Sequence, residues 1–326
     1  MKLLEQCRAN CRKNPQRIVF PDALDIRLLH AANKLQSEGL AQPILIGNPF
    51  ELRDYASRRG ASMPCFSIAY PDQSTLFEQY VDTYMGLGDK EMSRDDARQA
   101  MRNPLNYGAM MVRNGQADIC IAGNLSTTGE VLRTALKVIG VAEQHRTVSS
   151  FFLMTSADGS DVRLFADAGV VPTPTVEQLA EIAMDAAENF EKLTGDTARV
   201  AMLSFSTKGS SDHPSARRVR EAFELVHRKA PDLIVDGELQ FDAAVVPEVA
   251  ARKTPDSPLQ GNSNVMIFPS LDAGNIAYKV AQRLGHYQAL GPFLEGLRKP
   301  MHDLSRGCSV DDIVDLAVLA SCLATR

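Results

Sequence analysis

Asp118-Ile119-Cys120-Ile121-Ala122-Gly123-Asn124-Leu125-Ser126-Thr127-Thr128-Gly129-Glu130 reads as a short apolar strand, a turn of small residues and the opening of a helix that runs to about 137. Working outward, the same grammar repeats. Arg17-Ile18-Val19-Phe20 is a strand that Pro21 and Asp22 end. Residues 25–39 then form a helix with Leu28, Leu29, Ala32 and Leu35 on one face and Gly39 as its stop. Pro43-Ile44-Leu45-Ile46-Gly47 is a strand, and 93–114 is helical but interrupted or kinked at Pro104. A second series begins at Ser149-Ser150-Phe151-Phe152-Leu153-Met154. It continues through a turn at 156–162, a helix at 176–193 and strands at 198–203 and 264–268. Strands alternating with helices predict an α/β fold with a mostly parallel sheet. A chain of 326 residues is long enough for two such domains. No repeat or linker separates them, so two lobes joined by crossing strands would leave a cleft, the usual place for a ligand.

Composition narrows the classes. Hydrophobic residues make up 44% of the chain and charged residues 23%, the balance of a globular protein. A net charge of −5 argues against a broad nucleic-acid surface, although an arginine cluster would still hold a small anion. No apolar run approaches the roughly 18 residues of a membrane helix. The opening MKLLEQCRANCRKNPQRIVF is too charged for a secretory signal. Cysteines at 7, 11, 65, 120, 308 and 322 show no zinc or CxxC spacing, which fits a reducing cytoplasm.

Three segments carry chemistry. In Lys299-Pro300-Met301-His302-Asp303-Leu304-Ser305-Arg306-Gly307-Cys308-Ser309-Val310-Asp311-Asp312, the apolar residues Ile313, Leu316, Ala317 and Ala320 follow at helical spacing. Ser305 and Arg306 therefore precede a helix N-terminus, whose N–H groups and dipole favour a phosphate or an oxyanion. Arg306 adds a planar fork for phosphate oxygens. Ser309 and Asp312 equally form a capping-box pattern. Gly123 to Thr128 before Arg133 forms a second anion cradle, or simply a capped loop; no GxxxxGK[ST] is present. Asn275, Lys279 and Arg283 recur at i, i+4 and i+8 on one helix face just after the strand at 264–268, a solvated face or a ligand wall.

At these segments the chain resembles the phosphate acetyltransferase/phosphate butyryltransferase family. The matching strings are FPDALDIR at 20–27, ADICIAGNLSTTGEVLR at 117–133, RVAMLSFST at 199–207, DGELQFDAAVVPEVAA at 236–251, GNIAYKVAQRLG at 274–285 and KPMHDLSRGCSVDD at 299–312. NPFELR at 48–53 and DGELQFDAA look closest to the ethanolamine-utilisation branch, linked to a bacterial microcompartment. The resemblance implies two α/β/α domains of the isocitrate/isopropylmalate dehydrogenase-like kind with an interdomain cleft. Residues 1–147 and 292–326 would form the first domain and 148–291 the second. It further implies a homodimer, with acetyl-CoA, phosphate and acetyl phosphate as partners and no tightly bound cofactor; no Cys/His/Asp cluster in the sequence suggests a metal. By that resemblance Asp312 accepts the coenzyme A thiol proton, Ser305 and Arg306 stabilise the reacting acyl phosphate, and Arg133 holds coenzyme A. Arg283, Asn275, Lys279, Ser126, Thr127, Thr128, Cys308 and Arg27 complete the candidate substrate-binding set. Relatives often carry an arginine near position 83, where this chain has Thr83.

The expected chemistry is thiolate attack. A thiol with pKa near 8.5 gains from a nearby base, and a carboxylate of ordinary pKa about 4 would need burial to serve well. The oxyanion would form beside Ser305, Arg306 and the helix terminus, and phosphate would leave. Three other readings compete: a butyryl or other short-chain relative, a non-catalytic acyl-CoA-binding module, and a metal-dependent dehydrogenase on the related fold. The intact Ser305, Arg306 and Asp312 weigh against the second, and the missing metal-binding aspartates and nucleotide loop weigh against the third.

Overall fold

A computed structural model describes residues 2–63, 66–87 and 92–324. Cys65 lies outside the described residues; the other five cysteines are buried thiols. By its internal contacts the chain divides into two compact units, Lys2–Glu143 with Leu297–Arg326, and Gln144–Gly296.

The first unit opens with α1 (Lys2–Lys13) and β1 (Gln16–Phe20). In α2 (Ile26–Ser37), Asp25 caps the N-terminus and Leu28, Leu29, Ala32 and Leu35 are buried, as their spacing predicts. Gly39, at φ +66°, lets the chain turn out of that helix into β2 (Ala41–Ile46). Next come α3 (Pro49–Arg58), β3 (Ser67–Ala69) and α4 (Phe77–Met85). The stretch 93–114 is two helices, α5 (Arg94–Arg102) and α6 (Pro104–Arg113). Pro104 lacks the N–H to continue α5 but fits the first turn of α6, where Asn103 accepts from Leu105 N at 2.9 Å. β4 (Ile119–Ala122) leads to α7 (Thr128–Thr134), and Ala135–Ile139 then widen into a π-turn.

The second unit contains β5 (Ser149–Thr155), β6 (Val162–Ala166), α8 (Val176–Thr194), β7 (Arg199–Leu203), α9 (Pro214–Lys229) and β8 (Ile234–Leu239). It continues through α10 (Phe241–Val245), α11 (Pro247–Lys253), β9 (Val265–Ile267), α12 (Leu271–Arg283) and β10 (Gln288–Glu295). Its sheet has the order β10-β5-β6-β9-β7-β8. The β6, β9, β7 and β8 strands run parallel, while β10 and β6 each flank β5 antiparallel, so 156–161 is a hairpin turn. The chain then re-enters the first unit as β11 (Met301–Asp303) and α13 (Val310–Ala324).

In the first unit the sheet order is β11-β4-β1-β2-β3, and every pairing is parallel. α13 is apolar nearly all round and packs against α1 and α2, and a helix of that composition must be buried. Arg8 of α1 reaches both Glu38, just past α2, and Asp315 of α13.

Candidate active site

In a parallel sheet the carboxyl ends of all strands face one way, and ligands settle beyond them. The order β11-β4-β1-β2 therefore sets four loops side by side, beginning at Leu304, Gly123, Pro21 and Gly47. Asp303 pairs in register with Ala122, and Leu304 N donates to Ala122 O at 2.7 Å. The two strand ends pass so closely that a Cβ on Gly123 (φ +105°) would lie 2.1 Å from Asp303 Oδ1. Only glycine fits there.

The cradle after β4 already holds an anion, and it belongs to the protein. Oδ2 of Asp22 accepts from the backbone N–H of Gly123 (2.9 Å), Leu125 (3.1 Å) and Ser126 (2.9 Å), and its Oδ1 accepts from Ser126 Oγ (2.6 Å). Thr127 and Glu130 form a capping box at the start of α7. The Thr127 N–H, then its hydroxyl, hold Glu130 below the usual carboxylate range, and the charge of Arg133 contributes least. Thr128 Oγ1 donates to Asp303 Oδ2 at 2.7 Å. Burial pushes Asp303 up to about 6, opposed by that Thr128 bond and aided by the charge of Asp22. The candidate hydroxyls of Ser126, Thr127 and Thr128 are thus each engaged with an internal carboxylate.

Before α13, Ser305, Arg306 and Gly307 are exposed and Cys308 is buried. The turn closes on itself: Cys308 N donates to Ser305 O at 2.9 Å, and Gly307 N donates to Ser305 Oγ at 3.2 Å. Arg27 braces it from outside. Its Nη1 donates to the carbonyls of Arg306 and Cys308, both at 2.8 Å, while Nε and Nη2 grip the Asp25 carboxylate and Nη2 also reaches Asn124 O. Burial opposes the Asp25 charge, but the bonds from Arg27 and Asn124 outweigh it and hold that carboxylate low. Arg27, a candidate for substrate binding, has its guanidinium spent on joining three loops. Ser309 N donates to Asp312 Oδ2 at 2.8 Å and Asp312 N donates to Ser309 Oγ at 3.1 Å, a reciprocal capping box. Burial pushes the Cys308 thiol up to about 11 even though the charge of Arg27 pulls it down.

Within this same unit a cavity of about 570 Å³ opens beyond β1 and β2. Asp22, Ser126 and Arg133 lie on its wall, together with Lys137, Tyr84 and Glu51. Ser305, Arg306 and Asp312 are not among its lining residues. Neither is Thr83, whose hydroxyl bonds back to Gln79 O at 2.8 Å. Asn275, Lys279 and Arg283 belong to α12 in the other unit. There Asn275 Nδ2 donates to Ala168 O at 3.0 Å and accepts at Oδ1 from Lys279 Nζ at 2.6 Å, and Arg283 is exposed at the last turn.

Residues with evident work to do went unremarked in the sequence. Asp22 was visible only as a strand stop and Asp303 only as part of a motif string. In the second unit, His145 Nδ1 lies 3.0 Å from Asp185 Oδ2 and 3.4 Å from Glu181 Oε1, a grouping that three distant positions do not announce. Glu181 is further used by the N–H groups of Arg146 and Thr147, so the cluster reads as a brace.

The chain as a whole is similar to known proteins. A family model described as phosphate acetyl/butaryl transferase matches residues 2–321. A phosphate acetyltransferase of Paracoccus denitrificans is 42% identical over 325 residues, covering 98% of this chain and 99% of its own. Among solved structures, a phosphotransacetylase from Streptococcus pyogenes superposes with a TM-score of 0.94 at 39% identity, covering 99% of this chain and 98% of that one. EutD phosphotransacetylase from Staphylococcus aureus does so with a TM-score of 0.91 at 36% identity, with the same coverage. Likeness at this level over nearly the full chain has one meaning: the chain is a member of the phosphate acetyl/butyryl transferase family.

Proposed function

We infer that the chain is a phosphate acetyltransferase, catalysing acetyl-CoA + phosphate = acetyl phosphate + CoA. Relatives of that activity match it at about 40% identity over nearly its full length. The structural observation that carries the reading is the turn before α13, which Arg27 clamps so that Ser305 and Arg306 stand exposed at a helix N-terminus. A rigid turn keeps donors aimed where charge develops, with little reorganisation during reaction.

In our reading the thiolate of CoA attacks the acetyl carbonyl directly, in a complex holding both substrates. The S–C bond forms, the C–O bond to phosphate breaks, and phosphate leaves beside Arg306, with Ser305 donating to the oxyanion. Asp312 takes the thiol proton: its Oδ2 serves the cap, while Oδ1 has no hydrogen bond among the described residues. The buried, high-pKa thiol of Cys308 supports direct transfer over an acetyl-cysteine intermediate. Arg133, exposed on the cavity wall, holds CoA, and α12 contributes Asn275, Lys279 and Arg283 to substrate binding. The two compact units serve as the domains, and no tightly bound cofactor takes part.

A homodimer is supported by the exposed apolar stripe of Ile276 and Val280 on α12 and Leu284 at its C-cap. A place in the cytoplasm, within an ethanolamine-linked microcompartment, is supported by the likeness to EutD and by five buried thiols. Among the described residues no helix is long and apolar enough to cross a membrane.

The test is to mix protein with acetyl-CoA, with and without phosphate, and follow free thiol; repetition with butyryl-CoA reads the acyl preference. Phosphate-dependent thiol release that survives a chelator is expected. Release without phosphate, or activity that disappears with chelator and returns with a divalent ion, would overturn the scheme.

A further inference from the structure

The cavity of the first unit carries charges of both signs. Three carboxylates lie on its wall, but four donors of the 123–126 turn surround Asp22, and the Thr127 N–H and hydroxyl engage Glu130. Glu51 sits in the first turn of α3, at the positive end of that helix dipole. Arg133 and Lys137 also lie on its wall, neither with a carboxylate at ion-pair distance among the described residues. A cavity of about 570 Å³ is large enough for a sizeable organic anion.

Glu130, Arg133, Thr134 and Lys137 recur at i, i+3, i+4 and i+7, and all four line the cavity. The π-turn at Ala135–Ile139 overlaps the end of this run, a distortion that often accompanies functional positions. Lys137 Nζ stands 4.4 Å from the centroid of the Tyr84 ring, a cation–π contact. Tyr84 is only 4% exposed, so its ring is a fixed platform that limits the swing of a long, flexible side chain. The α4 wall that carries Tyr84 contains no basic residue, and Thr83 spends its hydroxyl on its own helix. Lys137 brings a positive charge to that wall.

We propose that Lys137 is a phosphate-binding residue for coenzyme A, gripping its phosphorylated nucleotide end together with Arg133 from one helix face. This rests on the acetyltransferase reading for the identity of the anion. Tyr84 is the positioning residue that holds the ammonium in place.

Calorimetry with CoA alone, in parallel with steady-state kinetics, tests it. Lys137→Gln should weaken the CoA Kd and raise the CoA KM about 5- to 20-fold, the scale of a lost charge-assisted contact. The acetyl phosphate KM should move less than about twofold and kcat less than about threefold, as for binding lost equally from ground and transition states. Lys137→Arg should restore most of the affinity, and Tyr84→Leu should weaken CoA more than Tyr84→Phe does. With dephospho-CoA, a vanishing effect of Lys137→Gln identifies the 3′-phosphate as the partner and a persisting effect identifies the diphosphate; either sustains the proposal. A Lys137→Gln protein with unchanged Tm and unchanged CoA Kd overturns it. Wild-type protein that binds CoA without turnover would sink the acetyltransferase reading while leaving Lys137 to be judged by Kd. Wild-type protein that does not bind CoA would sink both.

Discussion

Replacing Asp312 by asparagine separates the two roles that its position allows. Structurally, Asp312 is one half of a capping box, accepting from Ser309 N at 2.8 Å and donating its own N–H to Ser309 Oγ at 3.1 Å. Asparagine keeps an acceptor oxygen for Ser309 N, so the variant loses mainly the carboxylate charge beside the α13 dipole, about 0.3–1 kcal/mol. A domain stable by about 5–15 kcal/mol remains more than about 99% folded after that loss. If Asp312 were a cap alone, Tm would fall by a few degrees and turnover would hardly change. If it is the base, turnover should fall on the order of 10²–10³-fold at the same small cost in Tm. Ser309→Ala supplies the control: it breaks the box from the other side, costs about 1 kcal/mol, and leaves the carboxylate in place. Initial rates of thiol release and a thermal melt on the same preparations decide the matter. Asp312→Asn turning over at near wild-type rate, or Ser309→Ala losing as much activity as Asp312→Asn, would refute the base assignment.

Two further outcomes follow from buried groups. Burial, and then the charge of Asp185, push Glu295 up from 4.5 to about 8, although Ser149 and Asn189 each donate to it at 2.8 Å. A carboxyl whose folded pKa is raised favours folding in full below the unfolded value and loses that contribution as pH climbs towards about 8. Glu295→Gln should therefore gain stability relative to wild type between pH 5 and pH 8.5 in denaturant melts, and parallel pH profiles for the two proteins would contradict this. Cys308→Ser should keep most of the activity, since that thiol is buried and pushed up to about 11; acetylated enzyme seen by mass spectrometry would count against direct transfer.

Sequence alone settled what depends on neighbours along the chain. Apolar runs and helical periodicities placed β1, β4, β5, α2 and α8 within a residue or two, because strand and helix patterns are local. The Ser309–Asp312 box was legible for the same reason, both partners lying three residues apart on one helix turn. The break at Pro104 was written in its missing N–H, although only the fold showed Asn103 starting a new helix there. Tertiary structure decided everything that depended on strand order. Nothing near Gly123 says that its N–H will meet Asp22, 101 positions earlier; parallel pairing of β1 with β4 brings them together. Arg27 stood in the candidate substrate-binding set, and only the fold shows that the loop after β11 brings two carbonyls to it from 279 and 281 positions away. Nothing local to Lys137 announces the Tyr84 ring that α4 sets 4.4 Å from its ammonium. A side chain's chemistry is a property of the residue, but whether that chemistry is spent inside the protein or left for a substrate depends on partners that only packing can supply.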